Sequence, residues 1–453
     1  MISTSRLSLR TFFGPCEVIV KALNVALAGC GTVGGGVAEI LFNRAKNYES
    51  RVGPVLNLAA IADLQIEKLK QVFEFPDFVE LAVDVETVIK DSNIDVIVEL
   101  IGGIHPALEI ILDALENGKD VVTANKALLA KHADEIFKCA RENGRCVAFE
   151  ASVGGGIPII AALRDGFVGN RIRSVYGIVN GTCNYIITKM LQDNMSYEEA
   201  LAGAQDAGYA ETPPTLDVEG TDTAHKLAVM ARIAFGVSVP LDSIHCEGIT
   251  DVSLEDVKYA ETLGYTLKLL AVARRHQSGL ELRVNPCLLR KSHQLAGING
   301  AYNAICVNGD AVGQAMLTGL GAGRMPTASA VVADLVSVAM GTADTVFSRL
   351  SQFGEVPVIE PLALELVTCR YFMHMHLKDR PGVLALVAGV FGSNNISIAS
   401  CIQQSTSNGS GFVPVVFMTH EAQEGNVRKA LAELNKLEVV SAAGTRTLRV
   451  EDL

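Results

Sequence analysis

Asp222 and Lys226 stand four residues apart in Gly220-Thr221-Asp222-Thr223-Ala224-His225-Lys226, just ahead of the apolar positions Leu227, Val229, Met230 and Ile233. At helical spacing the two share one face, with the acid on the N-terminal side. Taken alone, the pattern describes a solvated ion pair worth about 0.3–0.5 kcal/mol. Its company argues for more, because Glu211, Asp217 and Glu219 crowd the same Gly- and Pro-rich approach. Hydride transfer to a carbonyl leaves an alkoxide that needs a proton. A lysine with a burial-lowered pKa can supply that proton and take it back in reverse. His225 adjoins Lys226 but points about 100° away around the helix.

A hydride carrier is suggested by Gly29-Cys30-Gly31-Thr32-Val33-Gly34, which follows the apolar run Leu23–Ala28 and opens a helical pattern over Gly34–Arg44. In such a loop Gly29 permits the tight turn, Gly31 the approach of a pyrophosphate, and Gly34 close helix–strand packing. Thr32 and Val33 would sit at the helix N-terminus that faces the phosphates. Asp63, ending the run Leu56–Ala62, is placed to hold the ribose hydroxyls. It lies beyond the usual interval of about 20 residues, which requires an enlarged first crossover. Its charge favours NAD, since no Arg follows it (Leu64-Gln65), while nearby Lys68 and Lys70 leave NADP open. Two further runs, Val98–Gly103 and Thr123-Ala124-Asn125-Lys126, read as strand ends, which in open α/β sheets point into the ligand crevice. Thr123 and Lys126 are thereby candidates there, although Lys126 equally suits a surface lysine at a turn.

These residues imply a doubly wound parallel sheet over 23–150, with strands at Leu23–Ala28, Leu56–Ala62, Ile94–Leu100, Val121–Ala124 and Cys146–Glu150. Gly154-Gly155-Gly156-Ile157-Pro158 punctuates the chain, and 151–325 reads as an inserted α+β domain. Thr327–Ala343 is an apolar helix that returns to the first domain over about 326–349. After a connector at 350–369, the order βαββαβ over 370–453 describes a small, self-contained ferredoxin-like module. His374 and His376 share one strand face there, read as sheet surface because two histidines alone make a poor metal site. Cys183 reads as a packed thiol, since alcohol–aldehyde interconversion needs no nucleophile.

With 453 residues, 49% of them hydrophobic, the chain can bury two or three cores. A net charge of −12 and the lack of a basic run argue against nucleic acid. No apolar run approaches the roughly 20 residues a bilayer span needs. Ten cysteines without CxxC pairs suggest reduced thiols and the cytoplasm. Residues 1–22 weakly resemble a transit peptide but are read as an extension without order.

Taken together, Gly29–Gly36, Val98–Gly103, Val122–Lys126, Glu150–Ile160, Asn180–Tyr185, Gly208–Lys226, Gly321–Gly323 and Pro326–Ala330 resemble homoserine dehydrogenases carrying a C-terminal ACT domain. The resemblance implies reversible NAD(P)-linked interconversion of L-aspartate 4-semialdehyde and L-homoserine by a homodimer or homotetramer. It makes Lys226 the proton relay, Asp222 its partner, and Lys126 a contact to substrate and nicotinamide. Glu211 and Asp217 become the acids that recognise the amino acid. Glu150, Val153, Gly155 and Ile157 resemble a monovalent-cation (Na+) loop, and Gly321 and Gly323 backbone that meets the cofactor. Asp379, Gly382, Asn395 and Ile396 resemble the regulatory positions of an ACT module, where L-threonine is the expected inhibitor. Pro213 departs from the family, which places Asp or a small polar residue there. A dehydrogenase for another amino acid semialdehyde, or a silent amino-acid sensor, remain the competing readings.

Overall fold

The computed structural model describes residues 22–43, 56–71, 73–210, 212–403 and 411–453. Largely buried apolar strands, with a more exposed β3 at the edge, build the first sheet: β1 (Leu23–Ala28), β2 (Leu56–Ala62), β3 (Glu80–Ala82), β4 (Val96–Glu99), β5 (Asp120–Thr123) and β6 (Val147–Ala148). They run parallel in the order β3-β2-β1-β4-β5-β6, the doubly wound arrangement that puts a ligand crevice at the β1/β4 switch point. Strand β3, three half-exposed residues, has too little apolar pattern to be read from sequence.

The helix Thr32–Asn43 starts directly after the glycine loop. A Cβ on Gly34 would lie 2.3 Å from the Gly29 carbonyl oxygen, so only glycine allows this approach of helix to strand. The return helix packs where a Cβ on Gly36 would meet the Arg324 carbonyl at 2.9 Å. That helix spans Arg324–Ala339 rather than reaching residue 343. Gly341 adopts φ +71°, and the chain turns by 83° into the helix Thr342–Arg349. No single helix among the described residues is long and apolar enough to cross a membrane.

The second sheet contains β7 (Ile172–Ile178), β8 (His245–Cys246), β9 (Tyr265–His276), β10 (Gly279–Arg290), β11 (Tyr302–Gly309) and β12 (Gly313–Leu320) from the inserted domain. From the C-terminal module come β13 (Thr368–Lys378), β14 (Ile398–Gln403), β15 (Phe412–Thr419), β16 (Ala422–Gln423) and β17 (Val440–Glu451). With helices Val383–Ser393 and Glu424–Leu434, the module has the expected βαββαβ order and its own apolar core.

It is not free-standing, however. The sheet runs without a break, β12-β11-β7-β9-β10-β17-β13-β15-β14, because Arg449–Glu451 pair in parallel with Cys287–Leu289. Buried ion pairs accompany the seam: Glu451 accepts from Arg283 and Arg274, and Arg449 donates to Glu424 at 2.8 Å and to Glu247 at 2.8 Å. His374 also departs from the sheet-surface expectation. It is 4% exposed and bonded to Asp256 at 2.8 Å on helix Leu254–Thr262 of the inserted domain, which the module's strand covers.

Candidate active site

Lys226 lies on the helix Thr221–Phe235, as the periodicity requires, with its side chain buried against the end of β7. Its Nζ donates to Asp222 Oδ2 at 2.7 Å and to the Val179 carbonyl at 2.6 Å. The other carboxylate oxygen of Asp222 meets Lys126 Nζ, also at 2.7 Å. One carboxylate thus bridges two ammonium groups. Burial alone would raise the pKa of Asp222, but Lys226 and Lys126 overcome it and hold the carboxyl well below its ordinary range. Lys226 moves down from the ordinary lysine value, first through burial and then through Lys126, because its counter-charge is shared.

Asn180 caps the helix Gly181–Gln192 by accepting from the Cys183 N–H at 2.8 Å. Its amide then donates to Asp217 Oδ1 at 2.8 Å and to Asp222 Oδ2 at 3.0 Å. Burial pushes the Asp217 carboxyl up from its usual value. Sequence reasoning noticed the Asn180 motif but gave Asn180 no role; the N-cap signature Asn-Gly-Thr-Cys was the available signal. Of the acids near this segment, Asp217 joins the cluster, Glu219 faces solvent, and Glu211 lies outside the described residues. Cys183 is fully buried, its thiol donating to the Asp217 carbonyl at 3.2 Å, and burial raises its pKa. Pro213 is exposed, and Pro214 occupies the N-cap of the short helix Thr215–Val218 without a side-chain bond.

Across the crevice, Lys126 opens the helix Lys126–Glu142 and keeps 40% of its side chain exposed. A buried network fixes that turn. Glu99 accepts from the Ile101 and Gly102 N–H groups at 2.9 and 3.0 Å and from Thr123 Oγ1 at 2.6 Å. Thr123 accepts from the Asn125 N–H at 3.0 Å, and Asn125 donates to the Gly103 carbonyl at 2.7 Å. The Thr123 hydroxyl is therefore engaged in holding the Lys126 turn. Glu99 is the functional residue here that sequence reasoning quoted without singling out.

The glycine loop fits a dinucleotide. A Cβ on Gly31 would meet nothing within 4 Å, so open space lies above the loop where phosphates must approach. At Gly29, by contrast, φ is +97° and a Cβ would lie 3.0 Å from the Leu100 backbone, so the turn is held tight there. Asp63 secures the second edge, accepting from the Cys30 N–H at 2.8 Å and from the Gln65 N–H at 2.7 Å.

The chain that carries this cradle and this lysine–carboxylate–lysine bridge is similar to known proteins along most of its length. Family models match at residues 29–150 (homoserine dehydrogenase, NAD binding domain), 158–336 (homoserine dehydrogenase) and 375–439 (ACT domain). Homoserine dehydrogenase of Pseudomonas aeruginosa is 44% identical, covering 96% of this chain and 100% of its own. The chain belongs to the homoserine dehydrogenase family. It is thus an oxidoreductase with a nicotinamide-binding domain and an ACT domain. The homoserine dehydrogenase of Neisseria gonorrhoeae is 40% identical, covering 96% and 100%. The crystal structure of the Thiobacillus denitrificans homoserine dehydrogenase superposes with a TM-score of 0.88 at 40% identity, over 95% of this chain and 99% of that one.

The remaining residues that the homoserine dehydrogenase resemblance singled out fall in two places. In the loop after β6, Glu150 is buried and accepts from the Ile160 and Ala161 N–H groups, both at 2.8 Å. Gly155, at φ +55°, packs so tightly that a Cβ would lie 2.6 Å from the Gly321 backbone, bringing Val153–Ile157 and Gly321–Gly323 together. In the ACT domain, Asp379 and Gly382 line one shallow pocket beside Gln403. Asn395 is a turn residue at φ +56°, and Ile396 is buried in the module's core.

Proposed function

We propose that the chain interconverts L-homoserine and L-aspartate 4-semialdehyde reversibly, with Lys226 as the proton relay. The observation that carries this reading is the double bridge at Asp222, which leaves a buried lysine facing the crevice with only half a counter-charge. A bound nicotinamide supplies or takes the hydride. In the reductive direction Lys226 gives the proton to the new alkoxide oxygen; in the oxidative direction neutral Lys226 takes it from the hydroxyl. Asp222 stays ionised and fixes both lysines. Lys126, half-exposed, is placed to meet a substrate carboxylate, and Asp217 the ammonium, with Asn180 setting the spacing of the two acids. Glu211 is assigned the same ammonium by resemblance.

The NAD form is favoured by Asp63 and by the pairing of Lys70 with Glu67 at 2.6 Å, which keeps that cation on its own helix. A monovalent cation such as Na+ suits the Glu150 loop. Its oxygens are hard donors, and both Glu150 and Asp334, 2.8 Å from the Glu150 N–H, are carboxyls raised by burial that a cation would keep charged. L-threonine is the proposed ligand of the pocket at Asp379 and Gly382.

The deciding measurement is homoserine-dependent reduction of NAD and of NADP by the purified, folded chain. Turnover is expected with NAD the better substrate; no turnover with either cofactor overturns the reading. Threonine should inhibit the full chain and inhibit Asp379→Ala less, and identical inhibition curves would remove that pocket from regulation.

A further inference from the structure

A second constellation, sharing no residue with the Lys126–Asp222–Lys226 bridge, lies where the ACT module meets the inserted domain. His374 and His376 occupy alternate positions of β13 and so share a face, their rings 5.1 Å apart. Opposite them, Glu255 projects from the first turn of helix Leu254–Thr262. One ligand atom from each of the three lies within 4.8 Å of the others, the one such group among the described residues. Glu255 Oε2 stands 3.9 Å from His374 Nε2 and 3.8 Å from His376 Nε2. Those separations are too long for hydrogen bonds. They are close to the roughly 3.3–3.6 Å that separates two ligands of one tetrahedral ion with bonds near 2.0–2.2 Å.

His374 supplies the independent sign of a ligand. It is 4% exposed, and its Nε2 has no hydrogen-bond partner, an arrangement that costs free energy unless something occupies the atom. Its Nδ1 is engaged with Asp256 Oδ1 at 2.8 Å, and Asp256 is in turn held by Ser253 Oγ at 2.6 Å. A carboxylate on Nδ1 fixes the tautomer that turns a bare Nε2 lone pair outward, as in carboxylate–histidine–metal triads.

We propose that Glu255, His374 and His376 form a site for a zinc-type divalent transition-metal ion that clamps the ACT module to the inserted domain. Two imidazoles select such an ion over magnesium or calcium. Glu255 and His376 are partly exposed, which leaves the fourth position to water.

Full-length chain stripped with EDTA and titrated with CoCl2 should develop the visible absorption of tetrahedral Co2+, saturating at one ion per chain and reversed by ZnCl2. Zinc should raise the Tm by several degrees. His376→Ala and Glu255→Gln spare the His374–Asp256 bond, so both should keep turnover and the metal-free Tm while binding cobalt at least tenfold more weakly. Absence of saturable binding, or unchanged affinity in both variants, overturns the site. So does a thiolate charge-transfer band, which would place the ion on exposed Cys246 or Cys401 instead.

Discussion

Two of the clusters of buried charge among the described residues are built on opposite principles. At the catalytic crevice, Asp222 is divided between two lysines, one of them half-exposed, and Lys226 is driven toward neutrality. At the seam between β10 and β17, arginines replace lysines. Arg283 and Arg449 each meet two acids, and their guanidiniums are lifted above their ordinary value. An arginine cannot give up its proton under working conditions, whereas a buried lysine can. The same physics of burial therefore gives a lysine suited to the proposed proton relay in one place and a fixed fastening in the other.

The contrast breaks most sharply at Lys226. Lys226→Ala should lower turnover about 10²- to 10⁴-fold while cofactor affinity, measured by fluorescence titration, stays within about twofold; a larger residual rate would reassign the relay. Next, Arg283→Ala should cost about 3 kcal/mol of stability, since Glu451 and Glu281 each lose one buried partner and keep only Arg274 and, for Glu281, His276. Denaturant unfolding would read that loss, with turnover per folded molecule little changed. A catalytic collapse in the folded variant would erase the distinction between the clusters. Lys126→Met removes a half-exposed charge and should raise KM for homoserine about tenfold, in line with a charge-assisted bond worth roughly 1.5 kcal/mol.

Acidity sharpens the comparison more gently. On the proposed relay, homoserine oxidation uses neutral Lys226, so its rate should rise as pH climbs through a lysine pKa below the ordinary 10.5, and semialdehyde reduction should fall over the same range. At the seam, burial is outweighed by Arg283 at Glu281 and by Arg449 at Glu424, and both carboxyls are lowered from 4.5. Depressed carboxyls stabilise the fold above their unfolded pKa. Stability should therefore be level through neutral pH and decline as pH falls below about 4.5. Thermal unfolding across that range checks it.

Legibility in the sequence followed the range of the interactions involved. The Asp222–Lys226 pair, the glycine loop and the order of the last module were readable because each rests on local periodicity and turn chemistry. Lys126 and Asp217 were readable as candidates but not as neighbours, since nothing local brings residue 126 against residue 222. Asn180 and Glu99 escaped assignment because their work is done through hydrogen bonds to distant partners. His374 was misplaced for the same reason: its partner Asp256 lies 118 residues earlier, in another domain. The fused sheet was missed because an alternating strand pattern does not tell which edge a strand will join.

That fused sheet imposes an order on the birth of the protein. Arg283 leaves the ribosome 168 residues before Glu451, its buried counter-ion, an interval of roughly 8–34 s at ordinary synthesis rates. For that time Arg283 has only Glu281 on its own strand as a counter-charge and Cys287–Leu289 of β10 lack their β17 partner, so the inserted domain waits, unfinished, for the C-terminal strand that closes it.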